Sequence, residues 1–394
     1  MLSAATHGGP VLPACSRLRR FHLELAALLG HYRGAKALAV GPGTGQRCAP
    51  ECEKQGRMST SVASDLDTTS ASRGRVVEKI GIFAAKLLVT GACFWYLSRQ
   101  INLSQVIAAV PWLDFRWAAF AVLVVVLQIP ILGLRWSAIV DALGARDGRV
   151  TQTVMIGVTA IGVFFAQVLP SVAGDGIRAW LLARRGCDWR NAVISVVIDR
   201  AIGVGVLVAL GFVILLLPSG LTALGGYRDV VLLVYAGLLL AGVLGLLLAP
   251  RITPLLARWR YSRWLAKLAV DARQVLLGPR GPLVLALGCL IHVLTIVVVW
   301  SVGRAEGLVL PVSDAAVLFT VMIGVTLVPI SISGWGLREL AVISLLGNHG
   351  IAPERALLFS VCFGLVLAAG SLPGAVVWLF YSFVPSWRSA ERGE

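Results

Sequence analysis

Charge is scarce in this sequence. Only 14% of its 394 residues are Asp, Glu, Lys or Arg, where soluble proteins carry about 25%. That shortage, beside a hydrophobic content of 57%, excludes an ordinary soluble domain. Strict apolar/polar alternation is lacking too, which excludes a transmembrane β-barrel. The seven cysteines are scattered, and Cys48 and Cys52 have neither a second pair nor a nearby His to complete a zinc site. We therefore expect no disulfide, no metal and no cofactor. No HExxH, Walker A loop or nucleophile elbow is present, so nothing argues for catalysis and the expectation is a protein that is not an enzyme. A basic soluble domain is also missing, so the net charge of +15 reads as membrane topology, with Lys and Arg gathered in cytoplasmic loops, and not as nucleic-acid binding.

What is there is a series of continuous apolar runs at 80–97, 117–134, 154–169, 192–217, 230–248, 282–302, 315–330 and 356–383. Several approach the ~20 residues that cross a bilayer. The expected fold is an all-α integral membrane protein, a polytopic bundle of 6–8 transmembrane segments. Residues 251–280 are basic and contain Trp, as in a surface helix. Trp112, Trp117, Trp136, Trp180, Trp189 and Trp387 lie near span ends and read as interface anchors. The expected organisation is an N-terminal extension over 1–57, disordered or spurious with Met58 as the true start. A polar cytoplasmic tail follows over 58–75, then the membrane domain over 76–385 in halves of about 76–217 and 230–383, and a short cytoplasmic tail over 386–394.

Two of the runs end in related motifs. The first is Leu169-Pro170-Ser171-Val172-Ala173-Gly174-Asp175-Gly176-Ile177-Arg178, and the second is Pro329-Ile330-Ser331-Ile332-Ser333-Gly334-Trp335-Gly336-Leu337-Arg338-Glu339. Both read Pro, Ser, then Gly-x-Gly-[Ile/Leu]-Arg. The runs that carry them are also the shortest, at 16 residues each, which suggests segments that dip into the membrane and return. Loop charge favours that reading. With both re-entrant and the N-terminus inside, roughly three-quarters of the Lys and Arg fall on the cytoplasmic side, against roughly three-fifths for eight full spans. Each half then has an odd number of crossings, and the halves are inverted repeats whose broken segments enter from opposite sides, an arrangement found in transporters.

In such a motif Pro170 and Pro329 end a helix. Ser171, Gly174, Asp175 and Gly176, and Ser333, Gly334 and Gly336, would form tight turns. A new helix over 177–183 or 337–346 would follow each. Asp175 reads as a turn or N-cap residue. Arg178 and Arg338 would sit in the first turn of the new helix, where a cation is unfavourable unless it meets an anion. A lipid phosphate held by the bidentate guanidinium fork answers that. The other reading is an arginine that snorkels or pairs inside the protein with Asp199 or Glu339. Lys86 in the first span and Arg200 in the fourth run are further candidate headgroup ligands. His292 reads as a hydrogen-bonded core residue.

In this order the motifs resemble the transmembrane domain of the lysylphosphatidylglycerol synthases, of which stand-alone members are called flippase-like proteins. Asp199-Arg200 opening the next span, Lys86, and Arg99-Gln100-Ile101-Asn102-Leu103 fit the resemblance, which covers about residues 76–385. Family members usually have Glu where Asp199 stands. The resemblance implies translocation of a lipid, anionic or glycosylated, between leaflets of the bacterial inner (cytoplasmic) membrane. Membrane lipids are then the expected partners. The alternative is a non-transporting membrane partner or regulator of a lipid-modifying or glycosyl-transferring enzyme.

Overall fold

The computed structural model of the chain describes residues 113–383 except 147, 149, 170, 217–227, 257–262 and 327–335. The run at 80–97 with Lys86, the N-terminal segments, and Pro170, Pro329, Ser333 and Gly334 lie outside these residues. Ten helices are described: α1 (Phe115–Ala142), α2 (Gln152–Val168), α3 (Ser171–Ala183), α4 (Trp189–Leu216), α5 (Arg228–Leu256), α6 (Arg263–Leu277), α7 (Gly281–Ala305), α8 (Val312–Thr326), α9 (Leu337–Gly347) and α10 (Pro353–Phe383). Five of them (α1, α4, α5, α7 and α10) are long and apolar enough to cross a membrane. At 1.5 Å per residue the 28 residues of α1 reach about 42 Å, more than the ~30 Å hydrocarbon core. The chain is a multi-pass helical membrane protein. The helices start where local chemistry tells them to. The Asp114 carboxylate accepts from Arg116 N at 2.9 Å, and that of Asp188 accepts from Arg190 N and Asn191 N. Thr151 Oγ1 accepts from Val154 N.

The other two pairs are short. With 17 and 13 residues, α2 and α3 reach only about 26 and 20 Å, and with 15 and 11 residues α8 and α9 reach about 22 and 17 Å. Each pair packs on itself as a helical hairpin. The first hairpin starts beside the C-terminal end of α1, where Ser137 donates to Gln152 at 2.6 Å. It returns to that same end, since α4 begins five residues after α3 closes and packs on α6, whose Gln274 donates to Ala142 O at the end of α1. The second hairpin starts and finishes at the other end. There Asp114 N donates to Ala305 O, Arg355 donates to Glu306 O, and His349 Nε2 lies 3.8 Å from Asp314. The two hairpins thus enter the bundle from opposite ends.

Packing repeats between the halves. Helix α1 lies along α7; α2 packs on α10 as α8 packs on α4; α1 packs on α10 as α7 packs on α4. Each hairpin is therefore seated on the last span of the other half. Glycines make both crossings close. A Cβ on Gly374 of α10 would fall 2.0 Å from Ala160 O of α2, and one on Gly211 of α4 would fall 2.5 Å from the Thr320 methyl of α8. Small residues that let backbones approach are the usual means of helix association where lipid removes the hydrophobic drive. The largest apolar cluster joins α1, α4 and α7 to the second hairpin and α10 through Phe319, Met322, Phe359 and Phe363. A second, with Trp136, Met155, Ile161, Leu181 and Leu182, lies under the first hairpin. Helix α5 is peripheral, with most of its side chains exposed.

Two expectations are corrected. The first motif is not a turn before a helix. Helix α3 begins at Ser171, immediately after the extended Leu169, so Gly174, Asp175 and Gly176 are helical. The break between Val168 and Ser171 comes earlier than the glycines suggested, and Gly174 serves close approach: a Cβ there would meet Gly162 O at 2.5 Å. In the second motif the turn is where the sequence puts it, with Gly336 at φ +88° just before α9, a conformation that glycine adopts without penalty. Trp136 is no interface anchor, for it is fully buried and its indole donates to Ser195 Oγ at 3.2 Å.

The fold makes two predictions. Gly374→Ala must push α10 off α2 and, as an overpacking change of about 1–3 kcal/mol, lowers the thermal midpoint in detergent; Gly237→Ala, with nothing within 4 Å, does not. The second concerns Glu306, one residue beyond α7 and 7% exposed. Burial pushes its carboxyl up to about 8, although Arg355 pulls the other way. The folded protein then holds a proton that the unfolded chain loses near the ordinary carboxylate value. Stability is full below that value and falls as pH rises toward 8. Thermal midpoints measured across this range should fall with pH, and Glu306→Gln should flatten the slope.

Candidate functional site

The first hairpin carries a buried ionic network. Arg178, on α3, is 5% exposed, and its two terminal nitrogens lie 3.2 and 3.1 Å from Asp199 Oδ2 on α4. Arg135, on α1, donates through Nε to Asp199 Oδ1 at 3.0 Å and is as deeply buried. One carboxylate thus ties α1, α3 and α4 together. Arg178 also lies over the Trp136 ring at 4.4 Å, a cation–π contact that shields the guanidinium. Its aliphatic stem fills the space left by Gly162 of α2, where a Cβ would fall 2.2 Å from Arg178 Cγ. The network continues outward. Arg178 is 3.7 Å from Asp175, and Arg200 grips Asp175 with two bonds of 2.7 Å. Arg200 itself is 53% exposed, so the cluster runs from a sealed pair to an open cation.

Among the described residues its charges do not balance. Three arginines, 135, 178 and 200, share the two carboxylates of Asp175 and Asp199. Arg178 Nε is buried without a hydrogen-bond partner. Removing a partner from such a network is costly, because the remaining buried charge is left uncompensated.

The second hairpin holds a smaller counterpart. Arg338 donates to Glu339 Oε1 at 2.7 and 3.1 Å and to Ser360 Oγ of α10 at 3.0 Å. Ser360 donates to the same carboxylate, and Glu339 Oε2 accepts from Gly336 N at 2.6 Å. Glu339 is thereby both counter-ion and helix cap, which removes the penalty of a cation in the first turn of α9. Each motif arginine reaches the following span at nearly the same distance in sequence, to Asp199 and to Ser360.

Of the residues expected to act together, the structure joins Arg178, Asp175, Asp199 and Arg200 in one cluster, and Arg338, Glu339 and Gly336 in another. Each motif arginine is engaged by a carboxylate of its own half. Asp175 is an ion-pair residue and not a cap. His292 is the core residue expected, with Nε2 2.9 Å from Gly203 O. Arg135, Gly162 and Ser360 were missed. The available signal for Arg135 was its place among mostly apolar residues, seven residues before the end of α1.

A family model described as the lysylphosphatidylglycerol synthase TM region matches residues 83–374. The match includes both hairpins, Asp199 and Ser360. A curated relative, Glycosyltransferase AglD of Haloferax volcanii, is 29% identical over 168 residues, or 42% of this chain. That stretch spans only 26% of the relative's own length. With well over half of its length matched, the chain belongs to the family of lysylphosphatidylglycerol synthase transmembrane regions.

Proposed function

We propose that the protein is a flippase-like translocator that moves an anionic or glycosylated lipid between leaflets of a bacterial inner membrane, without chemistry of its own. The observation that carries this reading is the unbalanced network on the first hairpin. Two arginines on one buried aspartate suffice to pin the hairpin. With Arg200 on Asp175 at its exposed edge, the described cluster carries three arginines to two carboxylates, a net positive charge that is costly near a membrane interior unless an anion completes it. A headgroup phosphate matches that need and the fork geometry of arginine.

In this mechanism Arg200 meets the phosphate first, in exchange for Asp175. Released from Arg200, Asp175 turns to Arg178, 3.7 Å away, and the deeper arginine loosens from Asp199 to receive the headgroup. The second hairpin, seated on α4 at Gly211, accepts it from the opposite side through Arg338, and Lys86 in the first apolar run remains a candidate headgroup ligand. Movement is rocking of the two halves about the glycine crossings. Family membership and the opposed hairpins support this reading, since inverted broken helices are the hallmark of alternating access.

The relative named as a glycosyltransferase favours a second reading, in which this membrane region anchors or regulates a glycosyl-transferring enzyme. Purification from native membranes separates the two: a stoichiometric enzyme partner and no lipid movement by the isolated chain supports the second.

The direct test is quenching of fluorescent phosphatidylglycerol in proteoliposomes. Wild type should accelerate transbilayer movement, and Arg200→Gln should slow it at least tenfold with little change in thermal midpoint, with Arg200→Lys intermediate. Unchanged movement in Arg200→Gln rejects the headgroup role. Asp199→Asn behaves differently, since it leaves two buried arginines on a neutral amide. It should cost about 3–5 kcal/mol, read as a large drop in thermal midpoint.

A further inference from the structure

Away from both motif clusters, a cavity of about 200 Å³ opens at the end of the bundle where the first hairpin begins. It is lined on its polar side by Ser137 and Asp141 of α1, Gln152 of α2 and Arg280 at the start of α7, and on its other side by Leu134, Leu283 and Leu287. Its electrostatics repeat those of the first hairpin. Arg146 donates to Asp141 at 3.0 and 3.1 Å, and Arg280 pairs with the same carboxylate. Two cations share one anion, and Arg280 is 46% exposed. Arg146 also donates to Ser137 Oγ at 3.0 Å and to Val150 O at 2.7 Å, so its guanidinium is held in place. Gln152 spends its carbonyl on Ser137, and its amide nitrogen is buried with no partner. The N-terminal ends of α2 and α7 both border the space, and the cap residue of α7 makes no side-chain capping bond. Helix N-termini favour an anion.

The apolar wall says what kind of anion. Leu134 and Leu283 are 41% and 53% exposed, and they stand beside the cations at the edge of the bundle. A free anion has no use for that wall, whereas a membrane lipid offers a phosphodiester to Arg280 and Gln152 and an acyl chain to the leucines. At ~30 Å³ per water, the cavity replaces on the order of six waters with a headgroup phosphate and its glycerol.

We infer that this cavity is a lateral binding site for the phosphodiester headgroup of an anionic phospholipid in one leaflet, held by Arg280 and Gln152 with its acyl chain along Leu134 and Leu283. The site is separate from the motif clusters and stands whether or not the protein moves lipid.

Calorimetric titration of the full chain in detergent tests it, with dihexanoylphosphatidylglycerol, dihexanoylphosphatidylcholine and inorganic phosphate as probes. Phosphatidylglycerol should bind the wild type at least tenfold more tightly than either of the others. Arg280→Gln and, separately, Gln152→Leu should each weaken it tenfold or more. Arg116→Gln, at the opposite end of α1 and outside the cavity lining, should change it less than twofold. Undiminished binding in both Arg280→Gln and Gln152→Leu overturns the inference. Equal affinity for inorganic phosphate also overturns it, making the cavity a free-anion site.

Discussion

A charge carried into a bilayer must be paired there, and in this protein Asp199 answers for two. It receives Arg135 from α1 and Arg178 from α3 while standing on α4, so one carboxylate joins two spans to a hairpin too short to span. Much else follows from that knot. Gly162 is needed so that the Arg178 stem can lie against α2, and Trp136 is drawn from the interface into the core to cover the guanidinium. Gly174 lets α3 fold back on α2 closely enough for Arg178 to reach its partner.

The second half solves the same problem with different atoms. Ser360 stands where Asp199 would, and the carboxylate comes from Glu339, next to Arg338 itself. In that cluster Glu339 is fully buried. The first is cationic and open at Arg200. Because each hairpin is seated on the last span of the other half, a displacement of either is felt across the whole bundle.

Much of this was legible in the sequence. The spans, the two shortened runs and the Gly-x-Gly-x-Arg repeat follow from hydropathy and spacing. Pairing of Arg178 with Asp199 and of Arg338 with Glu339 stood as the alternative to a lipid clamp, and both pairs are present. What failed did so for local reasons. Asp175 and its flanking glycines look like a turn, yet α2 ends at Val168, α3 starts at Ser171, and Gly174 is needed at a helix contact. Trp136 and Arg135 look like an interface pair by position, yet α1 runs on to Ala142 and places both inside. Loop counting cannot recognise an arginine that a carboxylate 64 residues away has drawn into the protein. Setting aside Arg135, Arg178 and Arg338 leaves the charge asymmetry in place.

The account rests on two hairpins that enter from opposite faces of the membrane. Single cysteines placed in a cysteine-free background at Gly148 and Arg190, which flank the first hairpin, and at Val309 and Asn348, which flank the second, test this with a membrane-impermeant maleimide on sealed vesicles of known orientation. The account predicts that Gly148→Cys and Arg190→Cys label from one face, and that Val309→Cys and Asn348→Cys label from the other. Labelling of the two flanks of either hairpin from opposite faces would contradict it.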